Sequence, residues 1–329
     1  MRLLHRFCAL VTASTVLLIV AGGLVTSTGS GLAVPDWPTT YGWSMFTFPL
    51  DKMVGGIRYE HAHRLIATTV GMLTIVLTVW LWFAERRRWL RRLGVAALVA
   101  VCAQGLLGGL TVLFFLPAPI SIAHAGLAQI FFCLTVAITL FTSRSWQTMG
   151  EQRPVDDIRL RAMASATTAV IYLQILVGAT MRHTEAGLAI PDFPLVFGGL
   201  IPPDWTTGIA VHYAHRVGAL IAAGLIVATA SRIWFHHRSM GQLTRPALLA
   251  IALVAVQISL GGLTVLSRRA VSINTAHVVV GALLLATSLV ITLRSWRAGF
   301  ASSSAVDLSD PLTQSADFSR NRSSAGARA

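Results

Sequence analysis

The sequence predicts an all-α polytopic membrane protein, with eight transmembrane helices forming two tandem four-helix bundles related by a pseudo-two-fold axis along the membrane normal. Three observations predict it. Of 329 residues, 54% are hydrophobic and 12% charged, with a mean hydropathy of +0.68; a soluble domain carries about 25% charged residues. Eight apolar runs near 20 residues recur along the chain, each long enough to cross a hydrocarbon core of about 30 Å. The chain also repeats itself at offsets of 152–156 residues.

Taken in order, the spans are 9–27, 60–83, 94–115, 121–141, 164–182, 211–233, 247–266 and 273–293. Runs of this length are too long for barrel strands, and lipid does not tolerate unpaired backbone groups, so each is helical. The N-terminal stretch has the make-up of a signal peptide, but span 5 repeats its part in the second half, so it reads as a retained first span. GLAVPDWP (31–38) recurs as GLAIPDFP (187–194), and QGLLGGLTVL (104–113) as QISLGGLTVL (257–266). YEHAHR (59–64) is matched by VHYAHR (211–216), and HAGLAQ (124–129) more loosely by HVVVGA (277–282). Each copy has an even number of spans, so the two run parallel. The organisation is a unit over 1–145, a linker over 146–161, a second unit over 162–297, and a polar, serine-rich tail over 298–329, expected to be disordered.

The net charge is +13, which raises nucleic acid as a partner, but its distribution points elsewhere. Nineteen of the 26 basic residues fall in alternate loops and the two termini, and seven in the others. The positive-inside rule then puts both termini in the cytoplasm of a cell-membrane protein, and the basic face meets anionic lipid. Cys8, Cys102 and Cys133 stand in apolar runs at no metal-ligand spacing, as packing residues. The loops over 28–58 and 183–210 carry Pro-Asp-aromatic-Pro, which favours a fixed path. Their Trp37, Trp43, Phe193 and Trp205 suit either anchoring at the interface or covering a ligand.

Chemistry concentrates at the helix mouths. His63, His124, His215 and His277 occupy equivalent positions in spans 2, 4, 6 and 8. Two imidazoles from alternate helices of one bundle can hold a haem iron between two axial ligands. Zinc fits less well, because no third and fourth ligands accompany each pair. His5, His236 and His237 lie on the opposite face. Gly108, Gly109, Gly261 and Gly262, with Gly71, Gly126, Gly218 and Gly281, leave room either for close helix approach or for a flat macrocycle. Arg64 and Arg216 directly follow two of the histidines, either snorkelling to headgroups or pairing with haem propionates; Arg58 and Arg182 are further candidates. Glu60 breaks the symmetry, since His212 takes its place in the second copy. A carboxyl one turn from His63 can move protons, or simply pair with Arg58 or Arg64.

Together, the eight-span duplication, Glu60–Arg64, His124, His215–Arg216, His277 and the paired loops resemble the haem A synthase family. That resemblance implies a haem O-oxidising oxidoreductase, which turns a ring methyl into a formyl group by successive hydroxylations for cytochrome oxidase assembly. It implies haem b on His215 and His277 with Arg216, a substrate pocket in the first unit at His63, His124 and Arg64, and a catalytic Glu60. Many members carry a cysteine pair in the first outer loop; this chain has none there, so it resembles the cysteine-less type. The implied partners are haem O, a haem O synthase, an unnamed electron donor and the bilayer; a homo-oligomer is compatible with them. Two other classes fit the histidines: a di-haem b electron carrier, and a haem or proton transporter with parallel repeats.

Overall fold

A computed structural model describes residues 2–148 and 157–297. The tail and residues 149–156 of the linker lie outside the described residues.

Eight helices long and apolar enough to cross a membrane are present, and the described residues include no named strand. They are α1 (Arg2–Ser27), α2 (Gly55–Ala84), α3 (Arg88–Leu113), α4 (Ala118–Thr142), α6 (Ile158–His183), α7 (Thr207–His237), α8 (Gly241–Leu266) and α9 (Val271–Ser295); a short α5 (Arg144–Thr148) follows α4. Most begin several residues before the apolar run that predicts them. Hydropathy marks only the lipid-facing core, whereas backbone hydrogen bonding carries a helix on into the interface. The mouth histidines are therefore already inside helices.

Neighbour packing closes two rings. In one, α1 meets α2, α2 meets α3, α3 meets α4, and α4 returns to α1; α6, α7, α8 and α9 close the same way. A seam of α1, α4, α6 and α9 joins the rings. Each ring has its own apolar core, with Leu77, Leu81, Phe131 and Ile138 in the first and Leu160, Ile226, Leu243 and Leu285 in the second. Hydroxyls stitch the helices together: Thr12 to Thr139 at 2.9 Å, Thr167 to Thr229 at 2.9 Å, and Thr168 to Ser288 and Thr292 at 2.8 Å each. Among apolar neighbours such bonds add specificity that shape alone lacks.

The repeats share their turns. After α3, Phe115 and Leu116 adopt φ of 58° and 59°; after α8, Arg268 and Arg269 adopt 52° and 68°. In each, a backbone N–H reaches five residues back, Leu116 to Thr111 (2.7 Å) and Arg269 to Thr264 (2.8 Å), capping otherwise orphaned carbonyls. The opposite face is arginine-rich. There Glu85 bonds Arg87 at 2.8 Å, and Arg87 reaches the carbonyl of Phe141 at 3.1 Å.

On that face Asp157 caps α6. It accepts from Leu160 N–H at 3.0 Å and Arg232 at 2.8 Å, and His237 lies 2.9 Å away. Burial alone would raise its carboxyl, but the bonds from Arg232, His237 and Leu160 outweigh this and hold it far below the usual carboxylate range. A depressed carboxyl stabilises the fold fully above its unfolded value, about pH 4, and that contribution is lost as pH falls through the depressed value. Asp157→Ala is expected to cost about 1–2 kcal/mol. Asp157→Asn keeps the cap but loses the acid dependence. Thermal midpoints recorded between about pH 2 and 6 check both; identical pH profiles for wild type and Asp157→Asn below about pH 4 would count against it.

Candidate haem-binding sites and the loops that cover them

His63 and His215 each stand eight residues into their helices, and His124 and His277 six. At 1.5 Å per residue all four lie about 9–12 Å below the helix starts, at matched depth. Each ring rests against a glycine of the preceding helix in its bundle. A Cβ built on Gly22 would stand 3.2 Å from Cε1 of His63, on Gly108 3.2 Å from His124, on Gly178 2.9 Å from His215, and on Gly261 3.2 Å from His277. Larger residues at these positions would push the rings away.

The second pair is held with its ring centres 6.5 Å apart. Were a metal ion bound here, each ring could give it one nitrogen at about 2.0 Å. The spacing fits one iron between the rings. Nδ1 of His63, His124 and His277 is buried without a hydrogen-bond partner. These three nitrogens lie on the glycine side of their rings, 3.6, 3.7 and 3.8 Å from the Cβ positions of Gly22, Gly108 and Gly261.

His215 differs, because the Gln174 amide lies 3.0 Å from its Nδ1 and donates to its carbonyl at 2.6 Å. The equivalent of Gln174 in the first copy is Leu18. The glutamine of the repeated Q-x-x-LGG motif also touches the histidines: Gln104 donates to the carbonyl of His124 at 2.9 Å, and Gln257 lies 3.4 Å from Nε2 of His277. Sequence reasoning gave these three glutamines no role. A polar residue inside an apolar helix, opposite a leucine in the other copy, was the available signal for Gln174.

The loops over the sites fold alike. Asp36 accepts the N–H groups of Tyr41 (2.7 Å) and Gly42 (2.9 Å); Asp192 accepts those of Phe197 (2.9 Å) and Gly198 (2.8 Å). Tyr41–Gly42 and Phe197–Gly198 all have positive φ, and bridges Thr40–Trp43 and Val196–Gly199 close the two turns. Burial would raise the Asp36 carboxyl, but the bonds from Gly42, Thr39 and Tyr41 bring it below its usual range. At Asp192 the Gly198 and Phe197 amides act in the same direction.

The paired glycines serve two clients. Beside Gly108, Gly109 faces Trp37, whose ring would stand 2.5 Å from an added Cβ; beside Gly261, Gly262 faces Phe193 at 2.6 Å. The Pro-Asp-aromatic-Pro rings therefore sit against the helices that cradle His124 and His277; Trp37 is half-buried and Phe193 36% exposed, while Trp43 and Trp205 are 45% and 57% exposed. Of the other glycines, Gly126 meets Leu176 and Tyr172 across the seam, Gly218 and Gly281 meet Gln174 and Gln257, and Gly71 has open space. Gly109→Ala is expected to displace Trp37 and cost about 1–3 kcal/mol. Trp37→Ala in the same chain should recover part of the loss. Thermal midpoints of both variants test this packing; no recovery in the pair would count against it.

Arg64 and Arg216 hold the loops. Arg64 donates to the carbonyls of Asp36 (2.7 Å), Thr39 (3.0 Å) and Val34 (2.9 Å), and to Glu60 Oε1 (2.7 Å). Arg216 donates to the equivalent carbonyls of Asp192 (2.6 Å), Leu195 (2.8 Å) and Ile190 (3.2 Å). Arg64 is 8% exposed, so it does not reach for headgroups. Four of its five N–H groups are engaged by protein, which leaves Nε. Arg58 instead lies against Tyr59, and Arg182 bonds the carbonyl of Thr26 across the seam.

Glu60 belongs to the same latch. Its Oε1 takes Arg64, and its Oε2 accepts the N–H of Val34 at 2.8 Å. In the second copy, His212 Nδ1 accepts the N–H of Ile190 at 3.2 Å. The substitution thus preserves the loop contact while removing the carboxylate. His61 is 2% exposed, bonds Thr40 at 3.0 Å and packs on Phe48.

Comparison with known proteins shows the family. Residues 5–289 match the COX15-CtaA family of cytochrome oxidase assembly proteins. Among similar proteins is the heme A synthase of Shouchella clausii, 30% identical over 81% of this chain and 88% of that protein. That of Geobacillus kaustophilus is 28% identical over 84% and 86%. That of Halalkalibacterium halodurans is 30% identical over 89% and 97%. With a match across nearly the whole of its membrane region, the chain belongs to the cytochrome oxidase assembly protein family.

Proposed function

We propose that the chain is a haem A synthase, an oxidoreductase that converts haem O to haem A by oxidising a ring methyl group to a formyl group. The observation that carries this reading is the pair of matched histidine grips that differ at one buried, loop-holding position, Glu60 against His212. In this reading His63 and His124 hold the substrate haem, and His215 and His277 hold haem b. Haem b, when bound, supplies one-electron transfer. The protein's own residues do the rest: the glycines set the ring orientations, and the packed loops keep water from the edge of the site. Arg64 and Arg216 act at the haems by fixing those loops. Glu60 holds or moves a proton at its carboxylate, beside the first pair.

The units 1–145 and 162–297 are then duplicates about an axis along the membrane normal, the first for substrate and the second for cofactor. The arginine-rich face lies in the cytoplasm with both termini, so the haem sites face the outer side of the cell membrane. A haem O synthase supplies the substrate, and a separate donor supplies electrons.

Co-expression with a haem O synthase, followed by haem extraction and chromatography, tests this. The wild type is expected to yield haem A. Two stably bound low-spin haems with no haem A would instead identify a di-haem b electron carrier.

A further inference from the structure

On the arginine-rich face a cleft of about 650 Å³ opens between the end of the first ring and the α7–α8 turn. It lies at the opposite end of the helices from the histidines and is independent of the haem assignment. Its polar lining is Ser145, Ser239, Gln242, Arg245 and Arg294, with no acidic side chain among the described residues that line it.

The sequence explains why a guanidinium sits in its wall. Pro246, inside α8, has no N–H to give to the carbonyl four residues back, which is that of Gln242. Arg294 of α9 donates to that carbonyl instead. The proline thus fixes Arg294 at the cleft. Arg245 is exposed, and among the described residues no ion pair or hydrogen bond engages its guanidinium. Met240 puts no side-chain cap on α8, so first-turn N–H groups add a partial positive charge at the same mouth.

We propose that this cleft binds a phosphate group, with Arg245 and Arg294 as the charged contacts and Ser145 and Ser239 as hydroxyl partners. Two guanidiniums and two hydroxyls match the acceptor oxygens of a phosphate. A site at the ends of membrane helices is within reach of an anionic phospholipid head group, and free phosphate carries the same chemistry.

The test uses the full chain purified in detergent. Phosphatidylglycerol, phosphatidylcholine and inorganic phosphate are each titrated while lipid retention is followed by native mass spectrometry and the thermal midpoint is recorded. Phosphatidylglycerol is expected to be retained and to raise the midpoint. Arg245→Gln should weaken it at least about tenfold, whereas Arg238→Gln, exposed on the same face but outside the cleft, should leave it unchanged. A response to inorganic phosphate alone that Arg245→Gln abolishes would keep the site and assign its source to free phosphate. Equal retention in wild type and Arg245→Gln, or equal loss in both variants, would overturn the proposal. So would phosphatidylcholine retention equal to that of phosphatidylglycerol and unchanged in Arg245→Gln.

Discussion

Glu60→His is expected to lower haem A formation by about a hundredfold or more, the usual worth of a positioned acid or base, while leaving the loop in place. Histidine is the informative replacement because the second copy already contains the result. His212 accepts the loop N–H that Glu60 accepts in the first, and Arg216 stays on three carbonyls without a carboxylate partner. Glu60→Ala is less discriminating. It leaves the Val34 N–H and a buried guanidinium without their acceptor, and breaking a buried pair costs about 3–5 kcal/mol. Thermal midpoints should therefore fall in the order wild type, Glu60→His, Glu60→Ala, with product nearly lost in both variants. If Glu60→His made haem A at the wild-type rate, the reaction would not need a carboxylate at this position, and the catalytic assignment of Glu60 as a carboxylate would fall.

His277→Ala should remove the haem of the second pair, weakening its retention by more than about a hundredfold, beyond what loss of a supporting residue costs. His215→Ala should do the same, because the two rings face one another 6.5 Å apart and each would supply one of the two nitrogens. Haem A output should stop in both for want of electrons. His124→Ala should keep the low-spin signal of the second pair and lose substrate retention instead. Reduced-minus-oxidised spectra of the purified variants, with haem extraction, separate the two patterns. A low-spin haem undiminished in His277→Ala would sink the assignment of the second pair.

Span positions, the duplication and the four histidines were legible in the sequence because each is a local or periodic signal. The latches were not. Arg64 and Glu60 read as residues of a helix mouth, and only the path of a loop some 26–30 positions upstream turns them into its anchors. The same holds for the glycine pairs: LGGLTV announces small residues, but not that one glycine receives a histidine and the next a tryptophan or phenylalanine. Gln174 escaped because its meaning depends on His215, 41 residues away. Short polar contacts across a folded-back chain carry no period for a sequence to display.

The packing of α1 against α9 also has a consequence for biogenesis. Ser27 at the end of α1 waits for Asn274 (2.8 Å) and Thr275 (3.1 Å), some 247 residues downstream, and Gly23 leaves room for Thr275. At about 5–20 residues per second the ribosome needs roughly 12–50 s to deliver them. For that interval the opening helix resides in the membrane with one flank bare. The first half therefore matures only when the last helix has been inserted, and a chain cut short before α9 leaves that flank to lipid or to the insertion machinery.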